Sequence, residues 1–138
     1  MRKLVLWLIV FAVCGGVLHA QDIAGTWQGT LQAPNGPTLR VVLQITSAED
    51  KSLKAVFYSI DQGARPIDAG AVTFQSSVLK ITLPAIGGNY EGRMSSDGNS
   101  IAGTFTQGGP LPVTFNRATP QTAWAIPEPP PQIGRAHV

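Results

Sequence analysis

The chain has 138 residues and a formal net charge of +2, from ten Lys or Arg and eight Asp or Glu. Three of the ten basic residues, Arg2, Lys3 and Arg135, lie near the two ends, so residues 21–132 carry seven basic and eight acidic side chains. This near balance excludes the basic patch with which proteins bind nucleic acids or anionic membrane surfaces.

Residues 21–132 contain neither cysteine nor histidine, because Cys14, His19 and His137 lie outside that range. The lack of histidine excludes Ser-His-Asp catalysis, Cys-His catalysis and histidine-ligated zinc or iron in this part of the chain. The lack of cysteine excludes a disulfide and a thiolate metal site. We therefore expect no cofactor.

Residues 1–20 have the three parts of a secretory signal peptide. Arg2 and Lys3 supply the basic start, residues 4–13 supply an apolar core, and Ala20 is a small residue before the predicted cleavage point. The apolar run is shorter than the ~20 residues that span a bilayer. We therefore expect a secreted or periplasmic protein that has no membrane contact after the signal is removed.

Short stretches of alternating apolar and polar residues follow, separated by turn residues such as Asn35-Gly36 and Asp97-Gly98. The alternation predicts eight strands, at residues 26–33, 38–46, 53–60, 66–74, 78–83, 89–94, 100–106 and 111–117. Such regular strands with short turns predict an all-β fold. The expected architecture is a single eight-stranded antiparallel meander barrel over residues 21–118.

One sequence pattern occurs twice. Ile-Ala-Gly-Thr-Trp at residues 23–27 returns as Ile-Ala-Gly-Thr-Phe at residues 101–105, and a Gln-Gly pair stands close behind each copy. The repetition predicts a sheet rolled into a barrel whose first and last strands are built alike because they lie close together.

The alternation ends after Ala118. Residues 119–132 include a run of four prolines and one glutamate and predict an extended linker. Such a linker normally leads to a further domain, so the expected partner is a downstream domain of the same chain that this sequence lacks. Residues 133–138 match the translation of a common sequencing adapter, which indicates an artefact.

The inward positions of the strands are almost all apolar, which leaves two interpretations open. One is a solid core, which the size of a small barrel favours, and the other is a pocket for a small apolar ligand. Tyr58 and Trp124 are the aromatic side chains expected to be exposed. The side chains that would line the pocket are Trp27, Leu43, Phe57, Tyr90, Met94, Phe105 and Phe115.

Carboxylates are the remaining catalytic candidates. Asp61 and Asp68 flank a loop that contains Arg65, and these three side chains could meet at the barrel mouth. A salt bridge in an exposed loop explains the pattern more simply than a catalytic pair, which needs two carboxylates facing each other across a cleft. We therefore assign no catalytic or metal-ligating residue.

Several segments resemble an N-terminal module of secreted bacterial proteins. They are GTWQGTL at residues 25–31, DQG at 61–63, PAIGGNYEG at 84–92 and GTFTQG at 103–108. In one group of these proteins the module precedes an α/β-hydrolase domain. In another group, from soil-associated bacteria, it precedes an uncharacterised domain, and residues 122–131 resemble the linker of that group.

The resemblance implies a non-catalytic accessory barrel and carries no catalytic residues. The Gly25-Thr26-Trp27 opening is also similar to lipocalins, in which a tryptophan closes the barrel floor, so the barrel is expected to be lipocalin-like. The expected function is that of an exported accessory or binding module, the N-terminal part of a longer protein. Two alternatives remain, a carrier of a small apolar ligand and the N-terminal fragment of a secreted hydrolase.

Overall fold

Alternating apolar residues and short turns produce strands throughout the part of the chain that the structure describes, residues 22–127. In this computed structural model the strands are β1 (Gly25–Gln32), β2 (Thr38–Ser47), β3 (Leu53–Ser59), β4 (Ile67–Asp68), β5 (Val72–Gln75), β6 (Val78–Leu83), β7 (Gly88–Met94), β8 (Ser100–Thr106) and β9 (Pro110–Arg117). Two 3-10 turns, Ile60–Gln62 and Pro84–Ile86, follow β3 and β6. The predicted signal peptide, the last part of the predicted linker and residues 133–138 lie outside the described residues.

All nine strands belong to one curled antiparallel sheet, in the order β4-β3-β2-β1-β9-β8-β7-β6-β5. The first strand pairs with the second and also with the last, so that Trp27 lies opposite Leu43 on one side and opposite Arg117 on the other. The expected all-β architecture is therefore confirmed, and β1 and β9 are neighbours as predicted.

The prediction of eight strands is wrong at one place, because the expected strand 66–74 is divided into β4 and β5. β4 pairs with β3, whereas β5 pairs with β6. Between them, the Ala69 N–H donates to the Ala55 carbonyl at 3.0 Å and the Gly70 N–H donates to the Thr82 carbonyl at 2.8 Å. The chain thus changes partner within two residues, at a glycine whose missing side chain leaves room for Thr82 and Pro84.

The repeated pattern does not lie on the two strands that pair. Its second copy, residues 101–105, lies on β8, and β9 separates β8 from β1. The two glycines of the repeat also differ in conformation. Gly25 has a φ of +138°, which favours glycine, whereas Gly103 lies opposite Gly92 in the β7–β8 ladder. The two copies of the motif therefore have similar residues but differ in backbone conformation at their glycines.

The core lies on the inner face of the sheet, where alternate residues of each strand point. Two aromatic contacts cross it: the rings of Phe57 and Phe105 stack with centroids 5.9 Å apart, and Tyr90 meets Phe115 edge to face at 5.1 Å. The buried side chains of the core are Ile23, Trp27, Val41, Leu43, Ile45, Ala55, Phe57, Leu79, Ile81, Leu83, Tyr90, Met94, Ile101, Phe105, Val113 and Phe115.

The close contact between β7 and β8 at Gly103 can be tested by substitution. A Cβ atom on Gly103 would overlap the backbone of Glu91 and Gly92, so the strands would have to separate. We expect Gly103→Ala to lower the free energy of unfolding by about 1–3 kcal/mol, as overpacking does. Urea denaturation measures the change.

Gly109 provides the matched control. A Cβ atom there meets no atom within 4 Å, and its φ lies outside the left-handed region. Gly109→Ala should leave the urea midpoint nearly unchanged. Equal midpoints for Gly103→Ala and Gly109→Ala would contradict the described contact between β7 and β8.

Candidate functional site

The interior of the curled sheet contains one small apolar cavity that gathers five of the seven predicted lining residues. The full lining is Leu31, Val41, Leu43, Phe57, Ile81, Leu83, Tyr90, Phe105, Val113 and Phe115. Its volume is about 10 Å³. That is roughly what one water molecule needs, so the side chains themselves fill this space.

The other two predicted lining residues, Trp27 and Met94, are buried in the core but do not line the cavity. The inner face therefore brings the predicted residues into one cluster without leaving a chamber among them. Pockets for organic ligands typically measure ~300–1,000 Å³, far above the space found here. The geometry supports a solid core.

Tyr90 supplies a polar group within this apolar interior. Its hydroxyl donates toward the Val113 carbonyl at 2.9 Å and the Ile101 carbonyl at 3.3 Å. The ring lies over Gly92, where a side chain would collide with it. Burial raises the pKa of the Tyr90 phenol, so the hydroxyl keeps its proton and acts as a donor that joins β7 to β9.

Trp27 lies at one end of the interior. Its ring is covered by the guanidinium group of Arg117, a residue that the sequence analysis did not identify. The guanidinium carbon of Arg117 lies 4.2 Å from the centroid of the Trp27 ring. The indole N–H of Trp27 donates to the Ile23 carbonyl at 3.0 Å. The fully buried ring is therefore covered by a cation on one side and hydrogen-bonded to the preceding chain.

Arg117 also joins three separate chain segments through its N–H groups. It donates to the carbonyls of Asp22 at 2.8 Å, Ala24 at 3.0 Å and Gly98 at 2.9 Å. One side chain thus connects the segment before β1, the β7–β8 turn and the end of β9. One feature of the sequence could have indicated this role of Arg117. The predicted pairing of the first and last strands places Arg117 beside Trp27.

Substitutions at these two positions test the described end of the sheet. We expect Trp27→Ala to lower the free energy of unfolding by about 3–5 kcal/mol, because it leaves a cavity in the core. Arg117→Met should lower it by about 1.5–3 kcal/mol, because three carbonyls lose a charged donor. Arg93→Met is the matched control, since exposed Arg93 makes a single 3.3 Å bond to Ser76. Chemical denaturation would contradict the geometry if all three variants matched the parent.

Asp61 has a different partner from the one expected. The structure pairs its carboxylate with Arg40, whose guanidinium lies at 2.7 Å and whose backbone N–H donates at 2.8 Å. Asp68 lies on exposed β4, opposite Val56. Within residues 22–127, the ion pair that the structure shows is Arg40–Asp61. The expected cluster of Asp61, Asp68 and Arg65 does not form.

The Asp61 pair makes a prediction about pH. Hydrogen bonds from the Arg40 side chain and backbone hold the pKa of the Asp61 carboxyl below its ordinary value of 3.8. A lowered pKa in the folded state means that the pair stabilises the fold above pH 3.8 and that this contribution is lost as the pH falls through the folded-state pKa. Carboxyl NMR titration should give a low Asp61 pKa that rises toward 3.8 in Arg40→Gln.

The first part of the predicted linker lies against the outer face of the sheet. The Ala118 N–H donates to the Thr26 carbonyl at 2.8 Å. Further along, the Gln28 side chain donates to the Thr122 carbonyl at 2.7 Å and accepts from the Trp124 N–H at 3.0 Å. Residues 118–124 are therefore attached to β1, a contact that the composition of the tail did not predict.

Two aromatic side chains on this face are less exposed than expected. Tyr58 and Trp124 are both half-buried. The Tyr58 hydroxyl donates to the Gln44 amide oxygen at 3.3 Å, and the Arg40 guanidinium carbon lies 5.8 Å from the centroid of the Trp124 ring. Tyr58 thus contacts Gln44 of β2, and Trp124 contacts Arg40 of β2. Both aromatic side chains lie on the outer face of the sheet.

Two further searches concern the described residues only. Within residues 22–127, no group of three or more His, Cys, Asp or Glu side chains could hold a metal ion. In the same range, no helix has the length and apolar character needed to cross a membrane.

Comparisons with known proteins add little beyond the architecture. No protein-family model matches the chain, and no curated protein matches it. Among solved structures, a redesigned β barrel is similar, with 25% sequence identity, a TM-score of 0.49, and coverage of 70% of this chain and 92% of that chain. The architecture stated for residues 22–127, a curled antiparallel sheet of nine strands, rests on the strand pairing itself.

Proposed function

We propose that the chain is an exported, non-catalytic β-barrel module that presents the polypeptide following it, as the N-terminal part of a longer protein. The filled interior is the observation that carries this proposal, because the apolar cavity among the core side chains, at about 10 Å³, is too small for an organic ligand. A barrel filled by its own side chains acts through its outer surface and through the chain that it holds.

Closure of the sheet into a lipocalin-like barrel is part of this proposal. β4 and β5 end the sheet, yet only three residues separate them in the chain. Ala69 bonds to Ala55 on β3, and Gly70 bonds to Thr82 on β6. One continuous segment therefore contacts both ends of the sheet, which supports closure and limits the exposed strand edges that promote aggregation.

The polar groups of buried Tyr90 and half-buried Arg117 support a structural role for the module. The Tyr90 hydroxyl and the Arg117 guanidinium are engaged with backbone carbonyls. Among the described residues, no buried side-chain nitrogen or oxygen lacks a hydrogen-bond partner.

The proposed location and context rest on the sequence. The leader-like residues 1–20 favour export, and the quoted segments resemble modules that precede another domain in secreted bacterial proteins. The anchored start of the tail supports the same context, because Gln28 holds residues 122–124 at a defined place on the sheet.

Binding of an apolar fluorophore tests the proposal. The full chain is produced with its leader, purified, and titrated with N-phenyl-1-naphthylamine, whose fluorescence rises in apolar surroundings. We expect no saturable increase in fluorescence, because the core is already filled. Sequencing of the purified product should give Gln21 as its first residue, as export with signal cleavage requires.

Phe105→Ala is the matched control for this titration. It removes one ring of the Phe57–Phe105 stack beside the small cavity and should create a site for the fluorophore. Val113→Ala is a milder second variant at the same cavity. Saturable binding of one fluorophore by the parent chain would refute the filled-core module and favour a carrier, and an uncleaved cytosolic product would refute export.

A further inference from the structure

We propose that the outer face of β1–β3 is an intramolecular docking surface whose occupant is the chain's own segment 118–126. The segment is a rigid arm that fixes the point at which the polypeptide beyond residue 127 leaves the barrel. Gln28 and Arg40 are the positioning residues of this surface. The use of the arm to orient a following domain rests on the proposed function, whereas the arm itself is a property of these residues.

Gln28 recognises the arm through both ends of its amide. The Nε2 group donates to the Thr122 carbonyl at 2.7 Å, and Oε1 accepts from the Trp124 N–H at 3.0 Å. A carbonyl and an N–H two residues apart are the groups that a neighbouring β strand would contact. The amide therefore imitates a strand's peptide group and holds the residues on either side of Ala123 in one register.

Burial of Val42 gives an independent sign that the arm covers this face. Val42 lies between Gln28 and Tyr58 in the paired strands and stands outside the main core cluster. Even so, only 1% of its surface is exposed, and Gln28 beside it is 9% exposed. An outer-face valine is buried only if something covers it, and Gln28 holds residues 122–124 directly beside this position.

Arg40 fixes the aromatic part of the arm. Its guanidinium makes a two-point contact with Asp61, with Nη2 at 2.7 Å and Nε at 3.2 Å from Oδ1. The side chain is thereby oriented before it meets the ring of Trp124, where the centroid distance is 5.8 Å. A cation held in place over a half-buried indole limits the positions that the indole can occupy.

The path from β9 to Trp124 is bonded at each step. Ala118 bonds to Thr26 on β1 at 2.8 Å. The next residues form a turn in which the Ala123 N–H donates to the Thr119 carbonyl at 2.8 Å, and the Thr119 hydroxyl lies 3.1 Å from that of Thr122. No long flexible stretch separates the last strand from the residues that Gln28 holds.

A rigid arm affects how a following domain is positioned relative to the sheet. A flexible linker lets two attached bodies sample many distances, whereas a short rigid spacer keeps one separation and direction. Pro127 continues the arm with a restricted φ angle. The docked segment therefore fixes where Trp124 lies relative to the sheet, and this position is the starting point for the chain that follows.

Amide hydrogen exchange of Trp124 tests the docking directly. In the parent chain we expect the Trp124 N–H to exchange at least tenfold more slowly than an unstructured amide, because Gln28 accepts its proton. Gln28→Met keeps the length of the side chain but removes both bonds, and this protection should be lost. Gln75→Met on exposed β5 is the matched control and should retain it.

Distances between spin labels test the rigidity of the arm. Labels at Lys80→Cys and Pro127→Cys, in a chain with Cys14→Ser, should give one narrow distance distribution that broadens with Gln28→Met. Arg40→Gln is a second variant, at an exposed position, and should increase quenching of Trp124 fluorescence by acrylamide. Unprotected Trp124 exchange in the parent, or a parent distribution as broad as that of Gln28→Met, would overturn the proposal.

The outcomes separate the arm from the proposed function. A mobile arm on a chain that still excludes the fluorophore would refute the docking surface and leave the filled-core module intact. An ordered arm on a chain that binds the fluorophore would refute the filled-core module and leave the docking surface intact.

Discussion

The contact between Arg117 and Trp27 is the constraint on which the rest of the structure depends. Residues 21–132 contain no cysteine, so no disulfide joins the beginning of the sheet to its end. Arg117 makes this connection instead, by covering the buried indole and bonding to the carbonyls of Asp22, Ala24 and Gly98. Because β1 and β9 are held together there, Ile23 in the segment before β1 is buried in the core.

The interior is filled because glycines and large rings alternate on the inner face. Gly29 and Gly103 allow neighbouring strands to approach more closely than any side chain would permit. Phe57 and Phe105 stack across the space that remains, and Tyr90 extends over Gly92 to reach β9. Close approach of the strands and stacking of the rings leave little free volume in the interior. The outer surface is therefore the more suitable place for an interaction.

The outer surface carries its own organised structure. Gln28 and Arg40 point away from the core, yet both contact the segment after β9. A chain that turns at residues 119–123 and is held against β1 differs from the extended, semi-rigid linker that its composition predicts. A curled sheet with a filled interior and an attached arm is suited to positioning a neighbour, and this combination connects the fold to the proposed function.

The sequence alone determined which residues face inward, because side-chain direction alternates with a local period of two that needs no knowledge of partners. It therefore predicted the all-β architecture and placed the seven candidate lining residues in the buried core. Only the tertiary structure decided which distant groups meet: Asp61 with Arg40 rather than Arg65, Arg117 with Trp27, and Gln28 with Thr122 and Trp124. It also decided that strand 66–74 divides and that the interior is filled. These outcomes depend on strand register, curvature and packing between residues far apart in the chain, and no local pattern encodes them.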